Sequence, residues 1–157
     1  MPIYVLRCVD RRHLCGNPLG IDYGDRHIGL ALSSDDGRYV FTYQTLENKD
    51  KLDIFQKLSV ICKNENVHTI VVGLPLDQNG LVGKEAKTVQ QFAQEIKKYL
   101  DIAIEFEDER FSSAMASRLF REAGKKEREA RATIDQKSAQ LILQTYLDRK
   151  NAELSSH

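Results

Sequence analysis

The sequence predicts an α/β domain: a mixed five-stranded sheet with helices on both faces. Three observations lead there. Strand-and-turn units follow one another from Leu19 to Tyr43, a continuous β-branched run occupies His68 to Pro75, and segments of helical period flank that run on either side. The resulting order, β-β-β-α-β-α-β-α-α, joins an antiparallel opening to later strands separated by helices, an arrangement that needs helical cover over the sheet. With 157 residues the chain has room for one domain. A domain of that size buries roughly two-thirds of the surface its unfolded chain exposes, so it can hold a core without disulfides or a structural metal.

The elements are read in order. Residues 1–17, MPIYVLRCVDRRHLCGN, keep no sustained period and are assigned to an N-terminal arm, residues 18–150 to the domain and 151–157 to a C-terminal tail. A strand around Leu19 to Tyr23 turns at Gly24-Asp25-Arg26 into a second strand, Ile28 to Ser33. The turn at Asp35-Asp36-Gly37 leads into Arg38 to Tyr43, rich in aromatic and β-branched residues, as a third strand. Leu52, Phe55, Leu58 and Ile61 recur at helical spacing behind Asp50, a suitable N-cap. His68 to Pro75 has the near-continuous apolar character of a parallel strand buried on both faces. Leu76 to Gly83 is a loop, and Ala86, Val89, Phe92, Ala93, Ile96 and Leu100 mark the inner face of a long helix. Ile102 to Glu107 alternates as a strand. A helix over Ala114 to Ala123 is capped by Ser112 or Ser113 and ended by Gly124; after the charged stretch KKEREARAT, a final helix runs from Asp135 to about Arg149.

Composition excludes several classes. Lys plus Arg and Asp plus Glu balance at 23 each, so the chain is not a uniformly basic, nonspecific nucleic-acid binder, and any polyanion contact must come from a local patch. The longest apolar runs are far shorter than the ~20 residues of a membrane span, and no secretory leader is evident. Cys8, Cys15 and Cys62 are odd in number and follow no metal-ligand spacing, which points to reduced thiols and a cytoplasmic setting.

Three segments place acids where chemistry could occur. Asp22, in Gly20-Ile21-Asp22-Tyr23-Gly24, sits inside an apolar strand, where a buried charge must be paired, and flanking glycines allow close approach of a phosphate or metal. Asp108-Glu109-Arg110 ends the Ile102 strand. Parity sets Ile102, Ile104, Phe106 and Asp108 on one face and Glu105, Glu107 and Glu109 on the other; parity often breaks at a strand end, so both Asp108 and Glu109 are candidates. Asp135 opens the last helix in phase with Ala139, Ile142, Leu143 and Tyr146, on its core-facing side. Alone, each acid has an ordinary structural account: a hairpin polar residue, a surface partner of Arg110, a helix cap. Aimed inward together, they would repel one another unless a divalent cation neutralised them. Oxygen ligands without a His cluster select magnesium or manganese, and such a site suits hydrolysis of a phosphodiester, with metal ions about 3.5–4 Å apart when two are used. Arg118, Arg121, Lys125, Lys126, Arg128 and Arg131, partly offset by Glu122, Glu127 and Glu129, supply cations just before Asp135. Arg26 and Arg110, beside the acids, complete the candidate nucleic-acid contacts. No aromatic platform diagnostic of single-stranded RNA is apparent.

The blocks GIDYGDRHIGLALSS, VVGLPLDQNG, EDERFSS and IDQKSAQLILQTYLD, in this order, resemble the YqgF family of Holliday-junction resolvases. The resemblance covers residues 19–150. It implies a ribonuclease H-like fold, a magnesium- or manganese-dependent nuclease, and a part in trimming the 5′ end of the 16S ribosomal RNA precursor. The catalytic and metal-binding positions it implies are Asp22, the acid of Asp108-Glu109-Arg110, and Asp135. Related resolvases carry a further acid on the central strand; Gly73 to Pro75 has none, so the third block must supply it. The implied partners are an rRNA precursor or branched DNA, with ribosomal particles and no membrane, the protein acting as a monomer or homodimer. Two other readings compete: a phosphate-binding hairpin of an actin- or Hsp70-like ATPase, disfavoured because such enzymes close two domains over the nucleotide, and a catalytically weak RNA-binding assembly factor, which suits the neutral charge.

Overall fold

The structure, a computed structural model, describes residues 17–109 and 128–155, except for the side chains of residues 128–135 and 154. Residues 1–16 of the arm, the helix expected over 114–123, and Arg110, Arg118, Arg121, Lys125 and Lys126 lie outside the described residues, while Asn17, read as the end of the arm, is the first residue of the first strand. Five strands, β1 (Asn17–Tyr23), β2 (His27–Ser33), β3 (Val40–Glu47), β4 (Val67–Leu74) and β5 (Ala103–Asp108), form one sheet in the order β3-β2-β1-β4-β5. β1, β2 and β3 pair antiparallel, whereas β4 pairs parallel to both β1 and β5. The described helices are α1 (Lys51–Asn64), α2 (Lys84–Leu100) and α3 (Arg128–Ser155).

Alternation along the strands divides the core in two. Leu19, Ile21, Ile28, Leu30, Leu32, Ile70, Val72 and Leu74 face α1 and α2, which contribute Ile54, Leu58, Phe92 and Ile96. On the opposite face Ala31, Val40 and Val71 pack against Ala139, Ile142, Leu143, Tyr146 and Leu147 of α3. β4 is therefore buried on both faces, which explains its unbroken β-branched run. Asp50 caps α1 by accepting the Leu52 amide at 3.0 Å, as its position before the apolar period predicts.

Several boundaries shift, β3 running over Val40–Glu47 rather than Arg38–Tyr43, and two differences bear on the site and the surface. α3 is already helical at Arg128, so Asp135 is a helix-interior residue rather than its first, and the helix continues to Ser155 through most of the segment read as a tail. The preceding REARAT consists mainly of good helix formers without Gly or Pro, so propensity carries the helix past the apparent cap. The second difference lies at the β3 edge. Tyr39, just before β3, and Phe41 and Tyr43 on it, spaced two residues apart, are all exposed.

Candidate active site

The site begins from strand direction. β1, β4 and β5 run parallel, bringing their carboxyl ends to one rim of the sheet. On β1, Leu19 and Ile21 turn toward α1 and α2, so Gly20 and Asp22 turn toward α3. Gly20 lies under that helix so closely that a Cβ on it would fall 2.8 Å from Leu143 Cβ and 2.9 Å from the Ala139 carbonyl oxygen. Asp22, two residues further along, is only 1% exposed.

β4 brings no acid to the rim, but it brings a space. Gly73 faces α3, and a Cβ there would meet Ile142 Cδ1 at 2.5 Å. The β1–β4 register pairs Ile21 with Val72, so its next step sets Asp22 beside Gly73. On the other side, β5 aims alternate acids at α3. The Tyr146 hydroxyl donates to Glu105, Arg149 Nη2 donates to Glu107 at 2.8 Å, and Lys150 Nζ lies 3.8 Å from Glu105. Burial, reinforced by the Glu105 hydrogen bond, pushes the Tyr146 phenol well above its ordinary range, and the hydrogen bond to Glu107 raises Arg149 further. These contacts hold the edge strand to the helix.

The Glu109 backbone amide donates to the Leu74 carbonyl at 3.2 Å, extending the β4–β5 pairing by one residue. Its side chain reaches over β4: a Cβ on Gly73 would lie 2.9 Å from Glu109 Cδ and closer still to Oε1. Glu109, like Asp22, is 1% exposed. Adjacent strands lie about 4.8 Å apart, so Asp22 on β1 and the Glu109 carboxylate over β4 occupy neighbouring places on one face. Asp108 keeps the parity expected of it, which puts it on the opposite face, exposed and across the sheet from Asp22. Of the two acids considered at this strand end, Glu109 is the one brought to Asp22. Asp135 lies in α3 one turn before Ala139, whose carbonyl approaches Gly20; its side chain is outside the described residues, as are those of Arg128 and Arg131. Arg26 is exposed in the β1–β2 turn, on the same rim as Asp22. That the central strand lacks an acid is legible in the sequence, whereas the contribution of Gly73 is signalled only by a glycine inside a β-branched strand, which marks a close approach.

Two buried carboxylates over a cradle that any side chain at residue 73 would fill form an all-oxygen donor pair, and this fits magnesium or manganese. Among the described residues no group of three or more His, Cys, Asp or Glu is arranged to hold a metal ion. A third donor would have to come from a side chain outside them.

Comparison with known proteins agrees with this architecture. The model of the RuvX family, described as Holliday junction resolvase, matches residues 16–149. The chain belongs to the RuvX family. Relatives named "Putative pre-16S rRNA nuclease" match this RuvX-family chain over almost their whole length. The protein from Maridesulfovibrio salexigens is 36% identical over 131 residues, covering 83% of this chain and 97% of its own. That from a Roseiflexus species is 35% identical, covering 85% and 94%. Among solved structures, Thermus thermophilus RuvC in complex with a Holliday junction substrate superposes with a TM-score of 0.54, covering 87% of this chain and 96% of the other at 10% identity. That likeness carries the ribonuclease H-like fold. The family is one of nucleases, which hydrolyse phosphodiester bonds and so act on nucleic acid. Among the described residues no helix is long and apolar enough to cross a membrane.

Proposed function

We propose that this chain is a divalent-metal-dependent nuclease that trims the precursor of 16S ribosomal RNA in the cytoplasm. The observation that carries the reading is that Asp22 and the Glu109 carboxylate are both buried and lie over neighbouring strands on one face, at the rim where three parallel strands end. Full-length relatives named for the same precursor support the choice of substrate. Asp22 and Glu109 would hold the cation, with Asp135 as the third ligand from α3. A magnesium or manganese ion held by these residues would supply activation of water and stabilisation of the negative charge that develops on the phosphate. The chain's own part is to fix two carboxylates in a desolvated place, where their attraction for the cation is stronger than in water. Arg26, exposed on the same rim, contacts the backbone phosphates, as do Arg110, Lys125, Lys126, Arg128 and Arg131. In the reaction the water oxygen bonds to phosphorus and releases a proton to solvent as the bond to the 3′-oxygen breaks, and the departing oxygen takes up a proton from solvent, leaving a 5′-phosphate and a 3′-hydroxyl.

The test incubates wild-type, Asp22→Asn and Glu109→Gln proteins with a 16S precursor RNA and, separately, a four-way DNA junction, each with manganese and with chelator. The expected result is metal-dependent cleavage of the RNA that both variants lose while keeping their fold. Undiminished activity in Asp22→Asn would sink the reading. Cleavage of the junction alone would favour the second reading, a junction resolvase, which the family description supports. RNA that binds in chelator but is never cut would favour an assembly factor associated with ribosomal particles.

A further inference from the structure

We propose that Gly73 is a positioning residue for the Glu109 carboxylate, and that the place over the central strand beside Asp22, rather than the strand supplying the acid, is what the site requires. This deepens the nuclease reading and rests on it. Glu109 belongs to the end of the edge strand, yet its carboxylate lies over β4, in the volume that a side chain on Gly73 would take. In this way the edge strand supplies an acid to the middle of the sheet. The vacancy is needed for that: even one methyl group would stand 2.9 Å from Glu109 Cδ, well inside ordinary contact, and the carboxylate would have to withdraw by about 1 Å, an amount that can lower a catalytic rate about 100-fold.

The obstruction differs in kind from an ordinary core clash. The atoms that a Cβ on Gly73 would meet are the ends of flexible side chains, Glu109 Oε1 and Cδ and Ile142 Cδ1, all of which can rotate away. Gly73→Ala therefore leaves a folded protein whose acid is displaced. The two clashes can also be separated, because Ile142→Val removes the methyl group that α3 contributes and leaves the Glu109 clash in place.

The experiment measures manganese affinity by calorimetry on the purified chain without nucleic acid, with RNA cleavage and the thermal midpoint alongside. The set is wild type, Gly73→Ala, Gly73→Ala with Ile142→Val, Glu109→Ala, and Gly73→Glu with Glu109→Ala. Gly73→Ala is expected to lose about 10–100-fold in manganese affinity, the range for disturbing a ligand's support, and the Ile142→Val background is expected to restore the thermal midpoint without restoring affinity. Gly73→Glu with Glu109→Ala, which returns an acid to the same place from β4, is expected to bind manganese at least about tenfold more tightly than Glu109→Ala alone. The proposal is overturned if Gly73→Ala binds manganese as wild type does, or if Ile142→Val restores affinity along with stability, since Gly73 would then serve only helix packing. It is also overturned if the relocated acid binds no better than Glu109→Ala. Should Glu109→Ala itself bind manganese normally, the metal-site reading fails as well, and that result is distinct from the others.

Discussion

Replacing Gly20 with alanine tests how α3 is held against the sheet. The added Cβ would sit 2.8 Å from Leu143 Cβ and 2.9 Å from the Ala139 carbonyl oxygen, whereas ordinary contact begins near 3.4 Å. Neither atom can swing aside: one is bonded directly to the helix backbone and the other is part of it. The helix must therefore lift by roughly half an ångström along the line of contact, or the strand must sink. Overpacking of this kind costs about 1–3 kcal/mol. Removing a glycine from a strand returns about 0.4–1 kcal/mol by narrowing the unfolded ensemble, so the net loss is about 1–2 kcal/mol. For a chain of 157 residues that corresponds to a fall of ~2–8 °C in thermal midpoint. Urea unfolding followed by circular dichroism gives the free energy directly, and no truncation of the Leu143 side chain beyond Cβ should rescue it. A Gly20→Ala protein within about 0.5 kcal/mol of wild type, inside the usual scatter of surface substitutions, would refute the close approach of α3 to β1. A lifted helix also carries the Asp135 backbone, one turn before Ala139, away from β1, so under the proposed function Gly20→Ala is expected to lower cleavage as well.

Other predictions concern the edge strand and the thiol. Arg149→Ala removes the guanidinium from the nearly buried Glu107 and should cost about 1.5–3 kcal/mol, the range for a hydrogen bond to a charged group. Adding Glu107→Gln should recover part of that loss, and a double variant no better than Arg149→Ala would mean that Glu107 does not depend on its cation. Burial pushes the Cys62 thiol up to about 11. With Cys8 and Cys15 changed to serine, iodoacetamide at pH 8 should therefore modify the native protein far more slowly than the urea-unfolded one, and equal rates would contradict the burial. The same shift gives a sign for stability: the native thiol keeps its proton where the unfolded thiol has lost it, so stability falls as pH rises from about 9 toward 11.

Much of this architecture was legible because local signals and tertiary demands agreed. Asp50 before an apolar helical period became the cap of α1, and the β-branched run before Gly73 became a parallel strand covered on both faces. Where the signals conflicted, the wrong one looked stronger. Asp135 has the chemistry of a cap, yet the Arg, Glu and Ala residues before it favour helix and nothing interrupts them, so the chain is already helical at Arg128, seven residues earlier. The exposed row of Tyr39, Phe41 and Tyr43 was hidden for another reason: aromatic residues on a strand usually signal burial, and here the face shared by Leu32 and Phe41 is uncovered at β3 because α1 and α2 pack over β1 and β4 and hardly reach it.

The acid at the end of β5 shows the limit of reading one strand at a time. Parity placed Asp108 on the face of Ile104, and that placement is observed, but parity cannot say which face carries Asp22 without the register between β1, β4 and β5. Register depends on partners distant in sequence. Whether Glu109 can reach the middle of the sheet depends on something a strand pattern does not record, the missing side chain at Gly73 on a different strand. A glycine inside a β-branched run and an acid just past a neighbouring strand are each unremarkable alone. Together, given parallel pairing in which Leu74 aligns with Asp108, they set the Glu109 carboxylate over the central strand beside Asp22. A glycine facing inward at the carboxyl end of a central parallel strand is thus a reason to look for an acid one residue beyond the adjacent strand's end, and the relocated acid at residue 73 is the variant that tests whether the two are interchangeable.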